Sequence, residues 1–390
     1  MNDLCLDVGY RSLIKYGEQL CGDMVAVTKS EDGDFILVLA DGLGSGVKAN
    51  ILSTLTSKIL STMMAEHISV EDCVTTIAAT LPVCSKRGVA YSTFTIIKIT
   101  DNEEAEIIQY DNPMVIMLRD GKSYDYPKTA KIIENKTIYE SRIKLQCDDV
   151  FIAMSDGAIY AGVEQVLNYG WQRENIEAFA EACYDSNQTA TIITSLLLEQ
   201  CDLLYAQKPG DDTTFATVKL RKRKPLSLIM GPPADPKDVN KMMNAAFSNQ
   251  GRKIVCGGTT STLAAEYLGK PMQTELTYFD PEIPPTSKIE GVDLVTEGVI
   301  TMSRVLEYAK DYIDKNERYD EWRKKKDGAS QIARLLFTEA TDINFYIGRA
   351  INPAHQNPNL PITFNIKMNI VEQLAECLKV MGKNINVSYF

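Results

Sequence analysis

Histidine is nearly absent from this chain of 390 residues, which contains only His67 and His355. A catalytic triad, a histidine metal cluster or a histidine general base therefore has at most two candidates. His67 ends a helical pattern, and His355 lies in the loop-like segment Asn352-Pro-Ala-His-Gln-Asn-Pro. We expect both to be structural or surface residues, so any catalysis must depend on carboxylates, hydroxyl groups and bound metal.

Signals for export, membrane insertion and disulfide bonding are also missing. The first 20 residues are interrupted by charged side chains, which excludes the apolar segment of a signal peptide, and no apolar run is long enough to span a membrane. The nine cysteines are odd in number and scattered, without a Cys-x-x-Cys pair. This usage is typical of reduced thiols in the cytoplasm and argues against a disulfide framework or a zinc site.

Positive charge is the minority, with 41 Lys and Arg against 52 Asp and Glu and a net charge of −11. Such a balance repels the phosphate backbone, so we expect no nucleic-acid partner.

The length suits two domains. Arg221-Lys-Arg-Lys-Pro225 puts four cations before a proline, a run that should neither be buried nor easily continue a helix. We therefore predict domains at residues 1–221 and 225–390.

The first domain is predicted to be of the α+β class, with many strands and helices clustered between them. Short apolar runs predict strands at Met24–Thr28 and Phe35–Ala40. A helix should begin near Ser45, and the predicted second helix runs from Val70 to Leu81, where Pro82 ends it. One face of the first helix is marked by apolar residues four apart, namely Val47, Ile51, Leu55, Ile59 and Met63.

Strands alternate with helices in the second domain, which predicts a small doubly wound α/β fold. Its best candidate site is the ligand loop formed by Gly257, Gly258, Thr259 and Thr260, which follows a predicted strand and opens a helix. Backbone N–H groups there suit an anion, so the domain is a candidate sensor of a small ligand. The alternative is an ordinary loop in which Thr259 or Ser261 caps the helix.

Four short motifs place aspartates at the ends of predicted strands, each beside a glycine. They are Gly22-Asp23, Asp41-Gly-Leu-Gly-Ser-Gly46, Ser155-Asp156-Gly157 and Gly210-Asp211-Asp212-Thr-Thr214. Converging carboxylates repel one another unless a cation lies between them, and oxygen ligands favour Mg²⁺ or Mn²⁺. Taken singly, each Asp-Gly is an ordinary turn, and the second motif is also compatible with a phosphate-binding glycine loop.

Together the motifs resemble those of the metal-dependent protein phosphatases (PPM, type 2C), and most closely the SpoIIE-type bacterial branch. The matching segments are Cys21-Gly-Asp23, Ala40-Asp-Gly-Leu-Gly-Ser-Gly46, Ser155-Asp-Gly-Ala158 and Asp211-Asp-Thr-Thr214. The resemblance covers about residues 1–220. It implies a β-sandwich flanked by helices, followed here by a smaller α/β domain.

The resemblance also implies a binuclear centre of two Mn²⁺ or Mg²⁺ ions, with Asp41 and Asp211 as catalytic residues. Asp41 would bridge the ions, the Gly42 carbonyl would complete one coordination sphere, Asp23 would serve one ion, and Asp156 and Asp211 would hold the other. Asp212 would support them, and Ser45 and Lys48 are placed to orient phosphate. The implied substrate is phosphoserine or phosphothreonine on a bacterial partner protein, such as an anti-sigma-factor antagonist.

Two other functions compete with an active phosphatase. One is a phosphatase-like scaffold whose metal site is vestigial and whose C-terminal domain senses a small ligand. It is disfavoured because none of the four aspartates is missing. The other makes the second domain the main enzyme, and it ranks last because that domain lacks a recognisable catalytic constellation.

Overall fold

The computed structural model describes residues 3–80, 92–163, 165–275, 277–314, 316–350 and 362–390. The chain divides into two compact units, residues 1–222 and 223–390, each with its own hydrophobic core. His355 and Pro82 lie outside the described residues. Among the helices in the described ranges, none combines the length and the apolar character needed to cross a bilayer.

The first unit contains eleven strands and five helices in its described part. They are β1 (Leu4–Leu13), β2 (Asp23–Lys29), β3 (Phe35–Gly42), α1 (Gly46–Ala65), α2 (Val70–Thr80), β4 (Ser92–Thr100), β5 (Glu104–Tyr110), β6 (Ile116–Arg119), β7 (Lys122–Ser123), β8 (Thr129–Ile133), β9 (Lys136–Lys144), β10 (Val150–Met154), α3 (Gly157–Tyr160), α4 (Arg173–Cys183), α5 (Ala190–Leu204) and β11 (Thr213–Lys222).

These strands form two antiparallel sheets, ordered β1-β11-β10-β6-β7 and β2-β3-β4-β5-β9-β8. One core lies between the sheets, where Leu37 and Leu39 of β3 are clustered with Phe151 of β10 and Val218 of β11. Helices α1 and α2 cover the outer face of the six-stranded sheet, and helices α4 and α5 cover the outer face of the five-stranded sheet. The predicted β-sandwich flanked by helices is therefore confirmed.

Strand β3 shows why its sequence is apolar without alternation. Leu37 and Leu39 face the inter-sheet core, whereas Ile36 and Val38 face the core under α1. A strand covered on both faces selects apolar residues at every position, because neither face meets water.

Helix α1 is present as predicted, but its apolar stripe does not mark the buried face. Val47, Ile51 and Leu55 are 62%, 53% and 46% exposed. The buried face instead carries small and polar residues together with Leu52 and Leu60. A helix lying close to a sheet needs small side chains at the contact, so the four-residue repeat selected the wrong face.

The basic run that predicted the domain boundary is not wholly exposed. Arg221 is only 4% exposed, because β11 continues through it and pairs with β1. Its Nη1 lies 2.9 Å from Oδ2 of Asp7 on that strand. The expectation that all four cations avoid burial was wrong for Arg221, because a carboxylate on the adjacent strand neutralises it.

The second unit contains seven strands and six α-helices in its described part. They are β12 (Pro225–Met230), α6 (Val239–Ser248), β13 (Arg252–Cys256), α7 (Gly258–Leu268), β14 (Gln273–Thr274), β15 (Ser287–Lys288), β16 (Leu294–Thr296), α8 (Val299–Ile313), α9 (Tyr319–Lys324), α10 (Gly328–Ala333), β17 (Asp342–Ile347), α11 (Ile362–Val380) and β18 (Asn384–Tyr389), with a 3₁₀ turn at Pro236–Asp238 and a π-helical segment at Arg334–Glu339.

The second sheet is parallel from β16 through β13, β12 and β17 to β18, with β14 and β15 added antiparallel at one edge. Ile229 and Val255 pack towards α6 and α7 on one face, whereas Leu228 and Ile254 pack towards α8 and α11 on the other. The predicted α/β domain is confirmed, with helices on both faces of a parallel sheet.

Candidate active site

The aspartate motifs meet where the ends of several strands lie close together. Asp23 and Asp41 are register partners on β2 and β3. Asp156 follows β10, and Asp211 and Asp212 precede β11, whose start lies beside the end of β10. Asp41, Asp156, Asp211 and Asp212 line one cavity of about 1070 Å³, which the Gly42 turn also borders. Asp23 is buried next to this group, with 4% of its surface exposed.

Two glycines of the motifs are required by close backbone approach. A Cβ atom on Gly42 would lie 2.1 Å from the carbonyl oxygen of Ala49 in α1. A Cβ on Gly157 would lie 2.1 Å from the carbonyl oxygen of Asp212. Any side chain at either position would push apart the segments that carry the aspartates, so these glycines serve packing as well as turning.

Ser155 holds three strands together at the site, a role that the motif alone did not predict. Its Oγ donates a hydrogen bond of 2.7 Å to Oδ2 of Asp23 and accepts one of 2.9 Å from the N–H of Thr214. Ser155 and Thr214 are fully buried. The hydroxyl therefore orients Asp23 relative to β10 and β11.

Burial and mutual repulsion dominate the electrostatics of this cluster. Burial, followed by the charges of Asp23, Asp156 and Asp211, raises the pKa of Asp41 well above its usual range. Burial raises the pKa of Asp23 against two stabilising hydrogen bonds. Burial and the charge of Asp211 raise the pKa of Asp156 as well. Such a cluster favours a cation.

The donor set fits a hard divalent ion. Oδ1 of Asp23 and Oδ2 of Asp212 are buried without a hydrogen-bond partner, which is costly unless something else satisfies them. All the candidate donors are oxygens, the ligands that Mg²⁺ and Mn²⁺ prefer. Within the ranges that the structure describes, however, no three His, Cys, Asp or Glu side chains stand at the spacing of a formed metal site.

Lys15 belongs to the site and was missed in the sequence. Its Nζ lies 3.5 Å from Oδ1 of Asp211, and its backbone N–H donates to Oδ1 of Asp212 at 3.0 Å. It lines the cavity because β1 ends at Leu13 beside the start of β11. The sequence showed only a charge near the N-terminus, since strand β1 itself was not predicted.

The loop after β5 also contributes unpredicted residues. Asp111 lines the cavity, and its charge adds to the effects that raise the pKa of Asp156. The loop is anchored by Asn112, whose Oδ1 accepts a hydrogen bond of 2.5 Å from Thr93 and whose Nδ2 donates to Thr95. The available signal was an Asp-Asn-Pro turn directly after a predicted strand.

Ser45, Lys48 and His67 lie outside the set of residues that line this cavity. The Ser45 hydroxyl donates to Oε1 of Glu18 at 3.1 Å. His67 is a surface residue, and its Nε2 lies 3.1 Å from Oδ2 of Asp32. Among the described residues, therefore, the cavity owes its chemistry to carboxylates, hydroxyls and a few cations.

In the second unit, the predicted ligand loop forms the first turn of α7. Gly257 is the N-cap residue with φ +107°, and no side chain caps the helix, so the expected cap by Thr259 or Ser261 is wrong. Ser261 donates to the Gly257 carbonyl instead, and the Thr260 hydroxyl accepts from the N–H of Gly231. Ligand binding by Gly257, Gly258, Thr259 and Thr260 stays a prediction.

Comparison with known families decides the nature of the first unit. Residues 31–221 match the model of the stage II sporulation protein E (SpoIIE) family. The first domain is thus similar to the SpoIIE family over these residues. The resemblance to PPM-type protein serine/threonine phosphatases is thereby confirmed, and the matched residues of this SpoIIE-type domain include Asp41, Asp156 and Asp211.

Phosphatase domains are among the solved structures that match this chain. The SpoIIE phosphatase domain of Bacillus subtilis aligns with a TM-score of 0.46 and 19% identity over 58% of this chain and 96% of that one. A SpoIIE structure from the same organism, which includes a fragment of the regulatory domain, aligns with a TM-score of 0.48 and 20% identity over 57% of this chain and 65% of that one. The catalytic domain of the phosphatase PstP, in complex with two manganese ions, gives 0.40 and 16% over 56% and 99%. No curated protein sequence matches the chain.

Proposed function

We propose that the SpoIIE-type domain hydrolyses phosphoserine and phosphothreonine esters on a partner protein, using two Mn²⁺ or Mg²⁺ ions. One observation carries the proposal: carboxylates at the ends of β3 and β10 and before β11 line one open cavity, Asp23 of β2 is buried beside them, and oxygens of Asp23 and Asp212 are buried without a partner. Such a cluster destabilises the fold unless a cation is bound, and costly clusters of this kind are characteristic of functional sites.

Asp23, Asp41, Asp156, Asp211 and the Gly42 carbonyl would hold the ions. When bound, the ions supply positive charge to the phosphoryl oxygens and lower the pKa of water. The protein's own contribution is positional. Gly42 and Gly157 let the strand ends approach, and Ser155 keeps Asp23 in one orientation. These contacts fix the donor atoms before substrate arrives.

The remaining groups suit a phosphoester substrate on a polypeptide. Lys15 offsets part of the charge of Asp211, and Asp212 supports the cluster through its bond to the Lys15 backbone. The cavity volume exceeds what a phosphoryl group needs, which leaves space for the flanking residues of a partner. The cysteines in the described ranges are free thiols, which supports action in the reducing cytoplasm. The partner in this proposal is a bacterial regulatory protein such as an anti-sigma-factor antagonist.

The test is phosphate release from an aryl phosphate and from phosphoserine peptides, with and without Mn²⁺. We expect Asp41→Asn and Asp211→Asn to lose more than about 100-fold in rate, because even outer-shell partners of a metal cost 10–100-fold. Asp3→Asn, an exposed aspartate outside the cavity, should match the wild type. No release by the wild type with Mn²⁺, or full activity in Asp41→Asn, would overturn the proposal.

A further inference from the structure

The cavity extends well beyond the carboxylate cluster, along one edge of the six-stranded sheet. It is lined by residues of four neighbouring strands: Asp41 on β3, Thr93 on β4, Tyr110 on β5 and Tyr139 on β9. These residues lie at nearly the same level along their strands. Asp41 pairs with Thr93, Tyr110 pairs with the residue after Thr93, and Gln109 pairs with Tyr139. Because neighbouring strands are about 4.8 Å apart, β9 lies roughly 14 Å from β3.

The far wall of the cavity is the β8–β9 hairpin. Its two turn residues, Glu134 and Asn135, have φ values of 50° and 58°, as a tight two-residue hairpin turn requires. Ile133 and Lys136 form the closing pair. Asn135, Lys136 and Thr137 line the cavity from this turn. A tight hairpin presents its side chains in fixed positions, so the wall is preformed.

Lys136 differs from the other cations that line the cavity. Lys15 lies beside Asp211, and Arg173 is held by Glu177 at 2.7 Å and by the Met114 carbonyl at 3.0 Å. For Lys136, no residue in the described ranges provides a carboxylate or a hydrogen-bond acceptor to its ammonium group. Its charge therefore remains available to a molecule that occupies the cavity.

We propose that Lys136 is a specificity-determining residue that binds a carboxylate of the substrate protein, an aspartate or glutamate near the phosphorylated residue. This inference rests on the proposed function, which puts the phosphoryl group at the aspartate cluster. An extended peptide rises about 3.4 Å per residue, so a span of roughly 14 Å corresponds to about four residues. The acidic residue is thus expected three to five positions from the phosphoserine, on one side of it.

The other carboxylates of the cavity give the opposite preference and so sharpen the test. Asp111 lines the cavity directly after β5, between Asp41 on β3 and the β8–β9 hairpin. Glu174 lies on α4 beside Arg173. If either of them controlled the choice of substrate, the domain would prefer a basic flank. A preference for an acidic flank isolates the effect of Lys136.

The experiment compares the full chain with its Lys136→Ala and Lys136→Glu variants in Mn²⁺. Substrates are p-nitrophenyl phosphate, which has no flank, and neutral phosphoserine peptides carrying one aspartate or one lysine at each position up to six residues away. Lys144→Ala is the matched control, since Lys144 is an exposed lysine of the same strand that does not line the cavity. Activity on p-nitrophenyl phosphate also reports that each variant is folded.

We expect the wild type to favour aspartate at one position, three to five residues from the phosphoserine, by about threefold to fivefold in kcat/KM, the range of a partly exposed ion pair. Lys136→Ala should abolish this preference, Lys136→Glu should replace it with a preference for lysine, and Lys144→Ala should retain it. Turnover of p-nitrophenyl phosphate should stay within about twofold in all variants.

Three outcomes would overturn the inference while leaving the proposed function intact. The first is peptide turnover without any preference for an acidic flank, and the second is an acidic preference that survives Lys136→Ala. The third is a loss of activity in Lys136→Ala that is as large on p-nitrophenyl phosphate as on the peptides, which would mean that Lys136 acts on the phosphoryl group. By contrast, a wild type that hydrolyses neither the aryl phosphate nor any peptide contradicts the proposed function itself.

Discussion

Replacing Ser155 with alanine tests the idea that one hydroxyl holds the aspartate cluster in place. The change removes a single oxygen from a fully buried position. That oxygen donates to Oδ2 of Asp23 at 2.7 Å and accepts from the N–H of Thr214 at 2.9 Å. Oδ1 of Asp23 already lacks a partner, and the variant also removes the bond from Ser155 to Oδ2.

The expected cost follows from the groups that are left unsatisfied. A buried donor or acceptor without a partner costs about 1–3 kcal/mol, and the variant creates two of them, giving a loss of about 2–6 kcal/mol. Total stabilities of domains are about 5–15 kcal/mol, so the variant should fold with a much lower urea midpoint. Because Asp23 loses its orientation, affinity for Mn²⁺ should also fall by about 10–100-fold.

The matched control is Ser195→Ala, the same chemical change at another buried serine of the same unit. The Ser195 hydroxyl has no hydrogen-bond partner among the described residues and lies in α5, where alanine is the better helix former. We expect a change within about 0.5 kcal/mol, or a slight gain.

Urea unfolding can be followed in the first unit alone, because the two tryptophans, Trp171 and Trp322, lie one in each unit. The Trp322→Phe variant leaves Trp171 as the remaining tryptophan. It loses packing contacts but no hydrogen bond, because the indole N–H of Trp322 makes none in the described structure. The fluorescence of Trp171 then reports the transition. If Ser155→Ala costs no more than Ser195→Ala, the bridging role of the hydroxyl is refuted.

Two further predictions concern the same unit. Leu52→Ala should lower the free energy of unfolding by about 2–4 kcal/mol, because Leu52 is buried in the core under α1. Ile51→Ala should lower it by less than about 1 kcal/mol, because Ile51 is exposed. Chemical denaturation measures both values, and equal losses would contradict the assignment of the buried face. Asp41→Asn should raise the metal-free melting temperature by about 2–6 °C, because it removes a buried carboxyl group that lies near three other carboxylates. Mn²⁺ should raise the melting temperature of the wild type only. A lower metal-free melting temperature for the variant would disprove the reasoning.

Much of the fold could be predicted because strong local patterns agree with the tertiary structure. The apolar run Phe35–Ala40 forms β3, and the glycine turn after it leads into α1. Motifs of this kind carry information because close approach, as at Gly42 and Gly157, admits only glycine. The α/β order of the second unit was likewise predictable from alternating strands and helices.

Features set by distant parts of the chain could not be predicted in the same way. Strand β1 has only a short apolar alternation at Leu4, Leu6 and Val8, and its remaining residues are mostly polar, so its pairing with β11 is what holds it in place. The apolar stripe on α1 predicted the helix but not which face is buried, because periodicity identifies a face without saying what covers it. The β8–β9 hairpin has many exposed positions and gave no apolar signal, although it lines the cavity.

The pairing of β1 with β11 also decides whether the site is complete. It brings Lys15 to Asp212 across 197 residues and lets the Ser12 hydroxyl contact that of Thr214 at 2.6 Å. Thr214 in turn donates to Ser155, which holds Asp23, so the carboxylate cluster depends on a contact between the two ends of the domain. Such long-range contacts form only once loop-closure entropy has been overcome. The aspartates therefore acquire their relative positions with the closure of the five-stranded sheet, which explains why local motifs identify them without specifying their geometry.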